Sequence, residues 1–185
     1  MTNKTHLTAK EVFQILKDAE KKGIEANFDN KIIVDKLDFM GYRFSVPVYF
    51  SDATFKDEAS FVGATFERNA YFGGATFERY AYFVGATFKC YASFMGATFD
   101  GYTSFINALF NYKPCFDGVK TKSKFYKEYA TVAGKPFNLK DYDNSAKCQK
   151  IATKMFYQKI LYRLETIELE TNNLKELIKG AKNDQ

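Results

Sequence analysis

The side chains able to do chemistry in this 185-residue chain are few and scattered. The single histidine, His6, stands in a polar N-terminal stretch, MTNKTHLTAKE, and reads as a solvated tail residue rather than a general base. Cys90, Cys115 and Cys148 are far apart, odd in number and without C-x-x-C spacing, so they offer neither a metal cluster nor a disulfide framework. Unpaired thiols fit a reducing compartment, and a cytoplasmic location is expected. Asp57, Glu58, Glu67 and Glu78 fall on outward positions of a repeat, where solvated or cross-paired carboxylates explain them better than an acid–base pair. No G-x-S-x-G, P-loop or dinucleotide fingerprint occurs, and Gly73-Gly74 is part of the same repeat. The expectation is a non-enzymatic protein with no catalytic residue, metal, cofactor or small-molecule substrate.

The elements that place these residues follow from a repeat. From Ala53 the chain reads ATFKDE–ASFVG, ATFERN–AYFGG, ATFERY–AYFVG, ATFKCY–ASFMG, ATFDGY–TSFIN, ALF, with a period of eleven. Phenylalanine recurs at Phe55, Phe61, Phe66, Phe72, Phe77, Phe83, Phe88, Phe94, Phe99, Phe105 and Phe110, and alanine precedes each by two except at Thr103. Steps of five and six match neither an amphipathic helix nor an ordinary strand, and a fixed short period marks a solenoid. The phenylalanines must point inward, because so many exposed rings in a row would form a very large apolar patch. Gly63, Gly74, Gly85 and Gly96 supply the positive φ that tight corners need, and Asn107 stands at the next equivalent corner.

Two faces cannot enclose a column of phenyl rings, whereas four make a square tube, so one coil takes four blocks, or twenty-two residues. At that offset Lys56 stacks over Glu78, Asp57 over Arg79 and Glu67 over Lys89, although Glu78 over Asp100 is a like-charge pair. Counting back by the same steps reaches Phe50, Phe44, Phe39, Ile33 and Phe28, and counting forward reaches Phe116.

The pattern A-T-F-x-x-x-A-x-F-x-G resembles the pentapeptide-repeat proteins, in the variant with Phe as central residue and one extra residue in alternate blocks. The extra residues here are Glu58, Asn69, Tyr80, Tyr91 and Tyr102. The resemblance implies an all-β solenoid, a right-handed quadrilateral β-helix of about four coils with the phenylalanines inside. It implies no common catalytic site. Some relatives mimic a DNA duplex and bind type II topoisomerases, which requires a strongly acidic column. Residues 50–111 carry six acids against four bases and the chain is +5, so that role is disfavoured here.

Open tube ends expose unpaired backbone and must be covered. Residues 1–24 form the expected N-terminal capping helix, with a Thr8/Glu11 capping box, a Leu7/Val12 staple, an apolar stripe of Val12, Ile15, Leu16 and Ala19, and Gly23 as stop. Residues 25–118 form the solenoid, and 119–185 a helical C-terminal region. Within it a short helix is expected at 122–133, ended by Gly134 and Pro136. A long helix is expected from Asn144 to about Lys179, about 50 Å if continuous. Ile151, Met155, Ile160, Leu164 and Ile167 line one side of it and suit self-association into a homodimer, unless the helix folds back near Thr171.

Candidate contact surfaces are two. Tyr71, Tyr80, Tyr82, Tyr91 and Tyr102 occupy corners and adjoining faces, where tyrosine favours protein contact. Lys120, Lys122, Lys124, Lys127, Lys135, Lys140, Lys147, Lys150, Lys154 and Lys159 form a basic segment able to meet nucleic acid or an anionic surface. The columns Thr54/Thr76/Thr98 and Thr65/Thr87 resemble ice-binding arrays, but threonine is an ordinary strand residue and bulky neighbours such as Tyr71 and Tyr82 interrupt them. No apolar run approaches the ~18 residues of a membrane span. The resulting expectation is a scaffold or interaction module with an unidentified protein partner.

Overall fold

The structure, a computed structural model, describes residues 4–127 and 130–136. The chain divides into Met1–Asn144 and Ser145–Gln185, and every described residue lies in the first unit. The expected helix from Asn144 onward, with Ile151, Met155, Ile160, Leu164 and Ile167, falls outside the described residues.

From Ala26 to Val132 every parallel strand pairing joins residues twenty-two apart. The strands are two residues long and fall into four sheets, one per wall. In chain order, face I holds Ala26–Asn27, Val48–Tyr49, Ala70–Tyr71 and Ala92–Ser93. Face II holds Ile32–Ile33, Thr54–Phe55, Thr76–Phe77, Thr98–Phe99 and Lys120–Thr121. Face III holds Leu37–Asp38, Ala59–Ser60, Ala81–Tyr82, Thr103–Ser104 and Phe125–Tyr126, and face IV holds Arg43–Phe44, Thr65–Phe66, Thr87–Phe88, Leu109–Phe110 and Thr131–Val132. The sequence repeats every eleven residues but the coil closes every twenty-two. Face I is therefore equivalent to the opposite face III, and face II to face IV.

The eleven repeat phenylalanines are all buried, each at 2% exposure or less. Parallel strands in register set identical rings over one another: Phe55 lies 4.4 Å from Phe77, Phe66 4.6 Å from Phe88 and Phe61 4.8 Å from Phe83, all within 7° of parallel. Those separations match the ~4.8 Å strand spacing, so the backbone ladder and the ring stack share one pitch. Alanine fits two residues earlier because it leaves room for the ring of the adjoining face, and Ala53 through Ala97 are buried at these positions.

Corners are of two kinds. Where face I turns into face II and face III into face IV, a four-residue turn closes with the hydrogen bond of Ala53 N to Phe50 O, Ala64 N to Phe61 O and their equivalents. Its third residue has positive φ: Gly74, Gly96 and Gly118 in one column, Gly41, Gly63 and Gly85 in the other, with Asn30, Asp52 and Asn107 as the non-glycine members. The other two corners take the extra residue and carry the ion pairs Lys36–Glu58, Lys56–Glu78, Lys122–Asp100, Arg43–Glu67 and Lys89–Glu67. Glu78 and Asp100 are thus like-charged neighbours flanked by lysines on both sides.

At the N-terminal end, helix α1 (Ala9–Lys22) begins at Thr8, whose capping box with Glu11 is complete, and ends at Gly23 with φ +66°. Val12, Leu16 and Ala19 are buried in the same core as Phe28 and Phe39, and Phe13 lies 4.7 Å from Phe39. His6 is not in a frayed tail: His6–Leu7 is a strand that extends face II by pairing with Ile32–Ile33. Strand pairing at a tube edge needs only backbone groups, so a polar tail sequence does not announce it.

At the other end, the described residues of 122–133 form strands and turns and not the expected helix, and stacking does not stop at residue 118. Lys120–Thr121, Phe125–Tyr126 and Thr131–Val132 each add one strand to a face. The central positions read Phe116, Thr121, Lys127 and Val132, so the phenyl column thins out. Phe125 occupies an alanine position instead, and its ring lies 5.4 Å from Phe105 and 5.9 Å from Phe99. Ala133 and Gly134, both at positive φ, then reverse the chain so that Lys135–Pro136 runs antiparallel beside Thr131–Val132.

Candidate protein-interaction surface

Side chains alternate in and out along each wall, so an outer face shows every second residue. Successive rows of face III present Lys36, Asp38, Met40; Glu58, Ser60, Val62; Tyr80, Tyr82, Val84; Tyr102, Ser104, Ile106; and Lys124, Tyr126. The row order is fixed by backbone bonds such as Ala59 N to Tyr80 O, Phe61 N to Tyr82 O and Gly63 N to Val84 O. Two consecutive rows are free of charge and are dominated by aromatic and aliphatic groups. Charged groups stand on either side of them, Lys36, Asp38 and Glu58 toward the N-terminal end and Lys124 toward the other.

Tyr80, Tyr82 and Tyr102 form a triangle with ring centroids 6.0, 6.3 and 5.9 Å apart, and Tyr126 joins at 4.9 Å from Tyr102. Tyr80 is half exposed, whereas Ser60 and Ser104, in the same column as Tyr82, are buried. Burial raises the Tyr82 phenol, and the nearby Glu58 carboxylate adds to the shift. Lys36 is raised by its hydrogen bond to Glu58, 2.9 Å away.

The five tyrosines singled out from the sequence do not form one group. Tyr71 and Tyr82 are eleven residues apart, which is half a coil, so they stand on opposite walls. On face I, Tyr71 stacks on Tyr49 at 4.6 Å, accepts a hydrogen bond from Asn69 Nδ2 at 3.0 Å, and has Tyr91 at 6.3 Å. Burial raises the phenols of both Tyr49 and Tyr71. Tyr49 and Tyr126 belong to these clusters and were not recognised from sequence; the twenty-two-residue offset from Tyr71, and the twenty-four-residue step from Tyr102, place them there.

The remaining walls are different in kind. Face II presents Thr54, Thr76 and Thr98 in register, and face IV presents Thr65 and Thr87. Tyr71 and Tyr82 do not interrupt these columns, since they lie on the other pair of walls. Lys120, Lys122 and Lys124 are exposed on the last rows, with Lys122 2.9 Å from Asp100. Among the described residues no group of three His, Cys, Asp or Glu could hold a metal ion, and no helix is long and apolar enough to cross a membrane. Cys90 Sγ donates to Glu67 O at 3.3 Å, and Cys115 is buried.

A family model for pentapeptide repeats (9 copies) matches residues 34–76 and 63–109, within the stretch where the walls are built. No curated protein and no solved structure matches the chain. Repeat pattern, stacked parallel strands and family match agree, and the repeat region of the chain, residues 34–109, belongs to the pentapeptide-repeat family.

Proposed function

We propose that the chain is a non-catalytic scaffold, a right-handed solenoid of about four coils capped by α1, whose wall holds protein partners. The observation that carries this reading is the charge-free strip of face III, where Tyr80, Tyr82 and Tyr102 meet at about 6 Å beside Val84 and Ile106. Such aromatic and aliphatic groups are enriched at the centres of interfaces. Self-association through the C-terminal segment is part of the proposal and rests on the spacing of Ile151, Met155, Ile160, Leu164 and Ile167. Light scattering on the full chain and on its Ile160→Asp, Leu164→Asp variant tests that part. A dimer that becomes a monomer supports it, and equal masses refute it.

A second reading has one observation in its favour: Lys120 and Lys124 are exposed on the last rows of the tube, at the head of the basic segment. Contact with nucleic acid or an anionic surface would weaken steeply with salt. Retention on an anionic polymer that is indifferent to salt, or to charge reversal at these lysines, removes this reading.

A further inference from the structure

We infer that the face III strip is an isologous contact between two copies of this chain, packed wall to wall with their tubes antiparallel. The inference rests on the reading of that strip as a contact surface and names its occupant.

The argument is one of register. When the same wall of two tubes meets across a twofold axis perpendicular to the tube axis, each outer column faces itself and the order of rows is reversed. Setting the axis between the Tyr82 row and the Ser104 row puts Tyr82 opposite Ser104 of the second copy and Tyr80 opposite Tyr102. Val84 then meets Ile106, and all groups in these rows are uncharged. One row further out, Glu58 faces Lys124 of the second copy, and the symmetry makes this contact twice. Glu58 would then lie between two lysines, its own Lys36 and the incoming Lys124. That arrangement already exists within the chain, where Glu67 takes both Arg43 at 3.0 Å and Lys89 at 2.9 Å.

Neighbouring registers lose this match. Moving the axis onto the Tyr82 row sets Lys36 against Lys124, and moving it one step further sets Glu58 and Lys36 against Tyr80 and Tyr102 with no opposite charge. Parallel tubes, with the axis along the tube, oppose the tyrosine column to the Met40–Val62–Val84–Ile106 column and set Glu58 against Val62 and Lys36 against Met40, charges against aliphatic groups. Charge pairing at the ends of an uncharged centre therefore selects one register among the antiparallel arrangements, as complementary charges do in other self-pairing elements.

The strip is small. Three outward columns span about 13 Å and four rows about 14 Å, roughly 190 Å² in projection, against ~800 Å² per partner in a standard stable interface. The contact is accordingly reversible and is read at high protein concentration and low salt.

The experiment is a charge swap in the full chain, followed by sedimentation equilibrium, with Glu58→Lys, Lys124→Glu and the double variant, each checked for wild-type unfolding. Each single reversal places like charges together twice per pair and is expected to weaken association about tenfold, equivalent to about 1.4 kcal/mol. The double variant restores opposite charges and is expected within about threefold of wild type. Single variants that associate as wild type does, or a double variant as weak as the singles, overturn the second-copy assignment. That failure leaves the strip as a contact surface for another protein. The surface reading falls separately if the Tyr82→Ser, Tyr102→Ser chain keeps every association of the wild type.

Discussion

The Tyr42 hydroxyl donates to Glu20 Oε2 at 2.7 Å, while the other oxygen of the same carboxylate accepts the Ser45 N–H at 3.1 Å. Tyr42 stands where most repeats carry alanine, and Glu20 is in the last turn of α1. One carboxylate thus fastens the end of the helix to the first turn of the tube. Glu20→Ala is expected to lower stability by about 1–3 kcal/mol, because it leaves both donors short of an acceptor. Tyr42→Phe should cost less, about 1 kcal/mol. Urea unfolding checks both, and a Glu20→Ala chain as stable as wild type means the helix is held by its apolar face alone.

Phe77 stacks between Phe55 and Phe99, at 4.4 and 4.9 Å, and is buried. Phe77→Ala should cost about 3–5 kcal/mol, the usual range for a large core deletion. Phe125, only partly buried at the end of the stack, should cost less than half as much when truncated. The ratio of the two losses in chemical denaturation is the readout, and near-equal losses would contradict the assignment of Phe125 as an end piece.

Two glycines are needed for different reasons. Gly85 has φ +62° and open space where a Cβ would go, so Gly85→Val suffers from backbone conformation alone, roughly 1–3 kcal/mol. Gly101 has no such φ, but a Cβ there would run into the Arg79 carbonyl of the preceding coil. Gly101→Ala must therefore shift backbone, and it should destabilise more than Gly85→Ala. Thermal melts of the two alanine variants decide the order.

Glu67 Oε1 meets Lys89 and Arg43, and the hydrogen bond from Lys89 is the chief reason its carboxyl lies below the usual range. A carboxyl lowered on folding contributes stability that is complete above its unfolded value and disappears as pH falls through the lowered, folded one. Glu67→Gln should accordingly show a smaller drop in Tm between about pH 6 and about pH 3 than wild type does. An identical drop would mean the pair contributes nothing to the acid side of the stability profile.

Much of the wall was legible because one side chain, phenylalanine, reports position unambiguously: a ring every five or six residues has only one place to go. The end of the wall was harder to read for the same reason. At 116–132 the central positions become Phe116, Thr121, Lys127 and Val132, and Phe125 moves to the small-residue position. The lysines and the lack of glycine between Gly118 and Gly134 look helical, yet the waiting edges of the sheets capture the backbone whatever the side chains. The contact surface was half legible. Tyr80, Tyr82 and Tyr102 were visible as aromatic, but their separation from Tyr71 and Tyr91 depends on counting in half coils.

The equivalence of opposite walls also fixes how the tube can change in length. Insertion or deletion of eleven residues keeps every phenylalanine inside, yet it turns all that follows by half a revolution, so the C-terminal segment leaves from the other side. A change of twenty-two residues restores the heading and moves the exit by one strand spacing, about 4.8 Å. Odd steps of the repeat steer the chain, and even steps only extend its reach.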